Sequence, residues 1–212
     1  KQNFQFIGDS IYNDCLVTVV LITYNHAPYI LDCLNGVISQ KTSFQYNCII
    51  ADDCSNDGSR NIFFDYANKF PKIFTYIDRK ENLGKITGGN GKYNILHAYS
   101  LVKSKYIAVC EGDDYWTDPN KLQVQVNYME AHPECSVTAH QIQNIDKNGR
   151  KLHNYDDDET YEPRVIKKFQ YFYENWKETV IQPSSWVFKT SLIDNINKFK
   201  IKTEFGDSLI WI

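Results

Sequence analysis

The sequence lacks the features that mark several classes of protein. Its apolar runs fall well short of the roughly 20 residues that cross a bilayer. The first of them, Leu16–Ile22, is too short and too far into the chain to be a signal peptide. Lysine and arginine number 23 and the acidic residues 26, so the net charge of −3 provides no general attraction to nucleic acid or anionic lipid. We therefore expect a soluble domain that binds no nucleic acid.

The cysteines and histidines also lack the spacings that mark a metal site. The six cysteines form no CxxC pair and fall at no metal-ligand spacing. We expect them to be reduced, buried thiols of a reducing compartment rather than a disulfide framework or a zinc site. The five histidines show no metal spacing either, and we expect structural or surface roles for them. The expected location is the cytoplasm, at the inner face of a membrane.

What the sequence does contain is enough apolar material for one core, since 42% of its 212 residues are hydrophobic and 15% are aromatic. The chain begins at Lys1 and ends in the apolar run Leu209–Ile212, so we expect it to be part of a longer protein. Any membrane association would then come from segments outside this sequence.

The first half of the chain alternates apolar runs with helical patterns. The runs are Leu16–Ile22, Tyr46–Ala51, Ile73–Ile77 and Tyr106–Cys110. Continuous apolar runs suit strands that are buried on both faces, and the segments between them carry apolar residues at helical spacing. The sequence therefore predicts an α/β domain in which a mostly parallel central sheet is covered by helices on both faces.

The second half is less regular. Thr117-Asp118-Pro119 predicts the start of a helix, because a capping side chain is followed by proline. Ser136–Ile142 and Ser185–Phe188 are predicted strands, and Phe169–Trp176 has a helical pattern. The acidic run Asp156–Glu159 lacks the glycine turn of a calcium loop, so we expect a solvated loop there.

Acidic side chains follow three of the predicted strands. Asp52 and Asp53 come after the second run, Asp78 after the third, and Glu111, Asp113 and Asp114 after the fourth. In a parallel sheet the carboxyl ends of the strands meet at one edge, which is where ligands bind. Converging carboxylates repel one another unless a cation or hydrogen-bond donors compensate, so this edge favours a divalent metal or a donor-rich ligand.

A glycine-rich segment, Gly84–Lys92, follows the third predicted strand. It fails the phosphate-loop pattern because Gly89 is followed by Asn90 instead of lysine, and no GxGxxG sequence follows the first strand. Two interpretations stay open: the segment brings backbone N–H groups and Lys85 or Lys92 toward phosphates, or it is a flexible surface loop.

These motifs, in this order, resemble glycosyltransferase family 2, whose members have the GT-A fold. The resemblance covers Leu16 to Pro119 and rests on four segments. They are Thr23-Tyr24-Asn25, Asp52-Asp53-Cys54-Ser55-Asn56-Asp57-Gly58-Ser59, Asn82-Leu83-Gly84 and Glu111-Gly112-Asp113-Asp114-Tyr115-Trp116-Thr117-Asp118-Pro119. One departure is Glu111, which stands where the family usually has the first aspartate of its Asp-x-Asp metal motif.

The resemblance implies roles for the matching residues. Asp113 would bind the divalent cation, Mn²⁺ or Mg²⁺, and Asp207 would be the general base. The residues that would bind the nucleotide and donor are Thr23, Tyr24, Asn25, Asp52, Asp53, Lys92, Asn94, Glu111 and Asp114. Asp53, in preference to Asp52, would accept a hydrogen bond from the base, and a uracil N–H suits this contact. On the acceptor side the residues would be Trp116, Ser185 and Trp186.

The domain division that follows is an N-terminal extension at 1–14, a nucleotide-sugar-binding half at 15–118 and an acceptor-side half at 119–212 that continues beyond the sequence. The implied reaction moves a sugar from a nucleotide-diphosphate donor, UDP-linked, to the hydroxyl of a glycan, lipid-linked or other acceptor. The configuration would invert, and the product would enter glycan or polysaccharide biosynthesis. Two alternatives stay open: a catalytically silent module that binds nucleotide sugars, and a nucleotidyltransferase.

Overall fold

The computed structural model describes residues 3–9, 14–88, 91–152 and 182–193. In these ranges the strands are β1 Phe4–Ile7, β2 Val17–Thr23, β3 Tyr46–Asp52, β4 Phe74–Arg79, β5 Tyr106–Glu111, β6 Val137–Thr138 and β7 Val187–Lys189. The helices are α1 Ile30–Ile38, α2 Ser59–Lys69, α3 Leu83–Thr87, α4 Lys92–Ser100 and α5 Lys121–Ala131, and a 3₁₀ turn spans Pro183–Ser185.

The strands form one sheet in the order β1-β4-β3-β2-β5-β7-β6. The four central strands, β4, β3, β2 and β5, run parallel to one another. The outer strands pair antiparallel with their neighbours: β1 with β4 at one edge, and β7 with β5 and with β6 at the other. The predicted α/β architecture is therefore confirmed, with antiparallel additions at both edges.

Both faces of the sheet are buried, which explains why its central strands read as continuous apolar runs. On one face Val19 and Leu21 of β2 pack in a cluster with residues of α1, α2 and α5. On the other face Val20 of the same strand packs in a cluster with Ala98 and Tyr99 of α4. Alternate residues of a strand point to opposite faces, so a strand covered on both sides needs apolar residues at every position.

Two predicted elements in the second half have different bounds in the structure. The helix begins at Lys121, not at Thr117–Pro119, because the Asp118 carboxylate accepts from the backbone N–H of Asn120 at 2.8 Å and closes a turn instead. The predicted strand 136–142 is reduced to Val137–Thr138, because only these two residues pair with β7.

All six cysteines lie among the described residues, and all are free thiols. Four of them, Cys15, Cys33, Cys48 and Cys110, are buried, as expected for small apolar side chains in a core. None of the helices described is long and apolar enough to cross a membrane.

Candidate functional site

The predicted site residues of three loops lie where the carboxyl ends of β3, β2 and β5 meet. Thr23 at the end of β2 pairs with Asp52 at the end of β3. On the other side of β2, Ile22 pairs with Glu111 at the end of β5. The loops that leave these three strands therefore start side by side and form one edge of the sheet.

The loop after β2 is locked to the loop after β3. Asn25 adopts a left-handed backbone conformation with φ of 57°, which asparagine tolerates better than most residues. Its backbone N–H donates to the hydroxyl of Ser55 at 2.8 Å, and its side-chain oxygen accepts from the N–H of Asn56 at 2.9 Å. Tyr24, one residue earlier, stays partly exposed, and the ammonium of Lys85 lies 5.8 Å from its ring centre.

Asp52 is fully buried and holds its own loop together. Its carboxylate accepts from the backbone N–H of Ser55 at 3.0 Å, from the Ser55 hydroxyl, and from the hydroxyl of Tyr76 at 3.4 Å. Burial raises the pKa of Asp52 above its ordinary value, while the Ser55 bonds oppose that rise. Its oxygens face the protein interior in this structure, and the donor contact expected for Asp52 stays a prediction.

Asp53 points the other way and caps α3. Its two carboxylate oxygens accept from the backbone N–H groups of Leu83 at 2.7 Å and Gly84 at 3.0 Å. Its carbonyl accepts from the side-chain amide of Asn82 at 2.7 Å. The start of the glycine-rich segment is therefore a short helix tied to Asp53, rather than a loop. Each carboxylate oxygen has a further lone pair, so the base contact predicted for Asp53 stays a prediction.

Asn94 lies in the core with only 1% of its surface exposed. Its side-chain oxygen accepts from the Nε of Arg79 at 3.0 Å, and its amide donates to the carbonyl of Ala51 at 2.7 Å. In this structure Asn94 thus braces α4 against β3 and β4, and its expected donor contact stays a prediction. Lys92, at the start of the same helix, remains partly exposed, and its predicted role stays a prediction.

The turn after β5, which we call the acidic turn, comprises residues 111 to 114. Its glycine, Gly112, donates its N–H to the carbonyl of Ile22 at 2.8 Å. A Cβ at this position would lie 2.5 Å from the Thr23 hydroxyl and 2.8 Å from Nδ1 of His26, so a larger residue would push the turn away from β2. Glu111, the last residue of β5, is partly buried.

The two aspartates of the acidic turn have different surroundings. The Asp113 side chain is 52% exposed, and Nδ1 of His26 lies 3.9 Å from one of its oxygens. The Asp114 carboxylate instead accepts from the hydroxyl of Ser184 at 2.6 Å. Burial raises the pKa of Asp114, the Ser184 bond opposes this rise, and the charge of Asp113 adds to it. Asp113 thus faces solvent, while the Asp114 carboxylate is hydrogen-bonded within the protein.

The donor set suits a divalent cation that the substrate helps to bind. No group of three or more His, Cys, Asp or Glu side chains that could hold a metal occurs among the described residues. Mg²⁺, however, is usually bound by one or two carboxylates together with substrate phosphates and water. The exposed Asp113, with His26 beside it, fits such a partial ligand set.

The predicted acceptor-side residues are buried in this structure, and their role toward the acceptor stays a prediction. Trp186 is 2% exposed and packs in the apolar cluster on the α4 face. Trp116 donates its indole N–H to the carbonyl of Ser184 at 2.7 Å, and the ammonium of Lys121 lies 4.1 Å from its ring centre. The hydroxyl of Ser185, also buried, donates to the carbonyl of Gln182 at 2.7 Å. Packing inside the protein is a common use of tryptophan, and it agrees with the burial of Trp116 and Trp186.

Sequence reasoning missed Ser184, the residue that joins this segment to the acidic turn. A serine in a Pro-Ser-Ser run carries no signal of its own, and only the sheet topology brings it next to residues 70 positions earlier. Of the other predictions, Asp207 and the segments Asp156–Glu159 and Phe169–Trp176 lie outside the described residues.

Comparison with known proteins identifies relatives of this chain. The family model described as Glycosyl transferase family 2 matches residues 18–196. An uncharacterized protein of Mycobacterium tuberculosis is 40% identical over 135 residues, which are 64% of this chain and 37% of that protein. An uncharacterized glycosyltransferase of Methanocaldococcus jannaschii is 27% identical over 198 residues, which are 93% of this chain and 63% of that protein. The chain thus spans less than two thirds of either relative.

Solved structures share the fold. TarS 1–349 of S. aureus, solved in complex with UDP, aligns with a TM-score of 0.63 at 20% identity over 92% of this chain and 52% of that chain. The mannosyltransferase PcManGT of Pyrobaculum calidifontis, solved with GDP-Man and Mn²⁺, aligns with a TM-score of 0.58 at 18% identity over 92% of this chain and 50% of that chain. At these identities the likeness establishes the fold.

Proposed function

Because the chain belongs to glycosyltransferase family 2 and has the GT-A fold, we propose that it transfers a sugar from a UDP-linked donor to an acceptor hydroxyl. The observation that carries the proposal is the convergence of the loops after β2, β3 and β5 at one edge of the sheet. There the exposed Asp113 lies next to the loop of Tyr24 and Asn25, as a nucleotide-sugar site requires.

The donor is proposed to be UDP-linked because of Asp53. This carboxylate already accepts two N–H groups, and uracil presents an N–H that the same group can accept. The complex of TarS with UDP supports this choice, whereas PcManGT was solved with a GDP-linked sugar. Lys85 and Lys92 supply positive charge on α3 and α4 for the diphosphate.

A divalent cation, Mn²⁺ or Mg²⁺, is proposed to be held by Asp113 together with the donor diphosphate. When bound, it supplies neutralisation of the negative charge that develops on the leaving phosphate. Asp113 would keep this position because Gly112 packs the acidic turn against Thr23 and His26. Asp114 and Glu111 would support the turn rather than share the cation.

On the opposite face of the sugar we propose Asp207 as the general base. A carboxylate that takes the proton of the acceptor hydroxyl contributes roughly a hundredfold to ten-thousandfold to the rate. Direct attack from the face opposite the leaving group would invert the anomeric configuration. The acceptor is proposed to be a glycan, lipid-linked or other hydroxyl, with any membrane association supplied by segments outside this chain.

Calorimetric titration tests the donor and the metal together. Titration with UDP, GDP and several UDP-sugars, each with Mn²⁺ and again with EDTA, should show binding of UDP that depends on the metal. Asp113→Asn should reduce the metal-dependent part of the affinity about tenfold or more, because it removes the charge that faces the cation. Asp65→Asn, on the exposed side of α2, is the matched control and should bind as the wild type does.

The outcomes separate the proposals. Binding of GDP instead of UDP would overturn the donor assignment, and unchanged affinity in Asp113→Asn would overturn the metal assignment. Asp207→Asn should keep donor binding and lose sugar transfer. If wild-type protein binds UDP-sugars but transfers nothing to any hydroxyl acceptor offered, the silent binding module is the better description.

A further inference from the structure

Ser184 connects two parts of the chain at the candidate site. Its hydroxyl donates to the Asp114 carboxylate at 2.6 Å and accepts from the backbone N–H of Glu111 at 2.9 Å. The residue is 6% exposed, so both bonds are shielded from water. One buried hydroxyl therefore contacts both ends of the acidic turn.

The position of this hydroxyl is set by contacts that do not involve the acidic turn's carboxylates. The carbonyl of Ser184 accepts from the indole N–H of Trp116 at 2.7 Å. The carbonyl of the next residue, Ser185, accepts from the side-chain amide of Gln125 at 3.0 Å. The carbonyl of Trp186 accepts from the N–H of Val109 at 3.3 Å. The segment is thus anchored to β5, to the loop after β5 and to α5, and presents Ser184 as a fixed donor.

On the β7 side, in contrast, the acidic turn begins beyond the end of strand pairing, although β2 still pairs with Glu111 on the other side. Pairing between β5 and β7 extends from Tyr106 to Ala108, so the Glu111 N–H lies beyond that ladder. Without the Ser184 hydroxyl, the bond from the Glu111 N–H and the bond to the Asp114 carboxylate would both be lost. A partly buried carboxylate without a donor turns toward water or a cation. In this turn, that means toward the cation proposed for Asp113.

We propose that Ser184 is a positioning residue for donor binding. It holds the acidic turn so that Asp113 alone faces the metal-bound diphosphate, and it keeps Asp114 turned into the protein. This inference deepens the proposed function and rests on it.

The test compares two buried serines. Ser184→Ala should weaken metal-dependent binding of UDP about fivefold to tenfold, the effect of losing a buried hydrogen bond to a charged group. Ser104→Ala is the matched control, because it removes a buried hydroxyl that donates to the carbonyl of Tyr106, at the other end of β5 from the acidic turn. It should lower the melting temperature by a similar amount and bind UDP within about twofold of the wild type. Equal affinities for the two variants would overturn the inference.

A double-mutant cycle with Asp114 distinguishes positioning from a general loss of stability. In an Asp114→Ala background, Ser184→Ala should change the UDP affinity less than about twofold, because the carboxylate that Ser184 holds is already absent and only its bond from the Glu111 N–H remains. If the two substitutions instead reduce the UDP affinity by independent factors, the inference is overturned. Should Ser184→Ala fail to fold, Ser184→Cys keeps the volume but offers only a weak donor, and the same comparison applies. Wild-type protein that binds no UDP with metal would instead overturn the proposed function itself.

Discussion

Arg79 shows how a single residue determines the chemistry around it. Its guanidinium is almost fully buried at the end of β4, where its Nε donates to Asn94 and its Nη2 lies 2.7 Å from Nδ1 of His97. Arginine keeps its proton and can only donate, so Nδ1 of His97 must be the acceptor. The contact therefore requires a neutral imidazole.

This requirement predicts a pH dependence of stability. Burial lowers the pKa of His97 below its ordinary value of about 6.5, and the charge of Arg79 lowers it further. At a pH below about 6.5, the unfolded chain binds a proton at His97 that the folded chain resists. The contribution of this site to the free energy of unfolding is therefore present above pH 6.5 and is lost as the pH falls. Denaturant unfolding between pH 7.5 and 5.5 should show this loss in the wild type. It should be smaller in His97→Gln, whose amide oxygen can accept from Arg79 without titrating.

The same residue scale shows what the sequence could predict of the site. The motifs correctly placed Asp52, Asp53 and Asp113 at one edge of the sheet. They did not show which oxygens are already used inside the protein. The Asp52 carboxylate is held by the hydroxyl of Tyr76, which lies on another strand, while the Asp53 carboxylate caps α3.

At the scale of elements, α3 is the part that depends most on one side chain. None of its five residues is buried, so packing contributes little to its stability. Its first N–H groups are bound by Asp53, and Asn82 accepts from the N–H of Lys85 at 2.6 Å. A helix this short is unstable without such partners at its N-terminus.

We therefore expect Asp53→Ala to loosen α3 specifically. Loss of two hydrogen bonds to a carboxylate should speed amide hydrogen exchange in Leu83–Thr87 about tenfold or more. Asp57→Ala is the control, since Asp57 accepts from Ser59 at the start of α2 and from Ala27. That variant should speed exchange at α2 and leave α3 as it is. Unchanged exchange in α3 of Asp53→Ala would show that the cap does not hold the helix.

The elements also differ in how well the sequence predicts them. The four central strands were predicted because burial on two faces leaves an uninterrupted apolar run. The edge strand β1 was not, because it is short and only partly buried, whereas β6 and β7 were predicted with other bounds, 136–142 and 185–188. Phe4–Ile7, expected to belong to an N-terminal extension, instead pairs antiparallel with β4. Residues 187–189 pair with β5 although 76 or more residues separate them from it, and no local pattern indicates such a pairing.

At the scale of the whole molecule, the described parts of the two predicted halves share one core. Trp186 and Phe188 come from beyond residue 118, yet they pack in a cluster with Val109 of β5 and Tyr99 of α4. Val187 on the same strand packs in the cluster on the other face. The boundary at 118/119 is therefore a division of the sequence by role and does not separate two cores among the described residues.

This shared core predicts how fragments will behave. A chain ending at Leu152 would lose β7 and uncover apolar side chains on both faces of the sheet. Burial of each large side chain stabilises by roughly 1.5–3 kcal/mol. The fragment would lose three such side chains, Trp186, Val187 and Phe188. Their combined contribution approaches the total stability of a domain, about 5–15 kcal/mol. We expect this fragment to bind a hydrophobic dye and to lack a cooperative thermal transition, while the 212-residue chain unfolds in one transition seen equally by circular dichroism and tryptophan fluorescence. A fragment that melts cooperatively would show instead that the first half completes its core without β7.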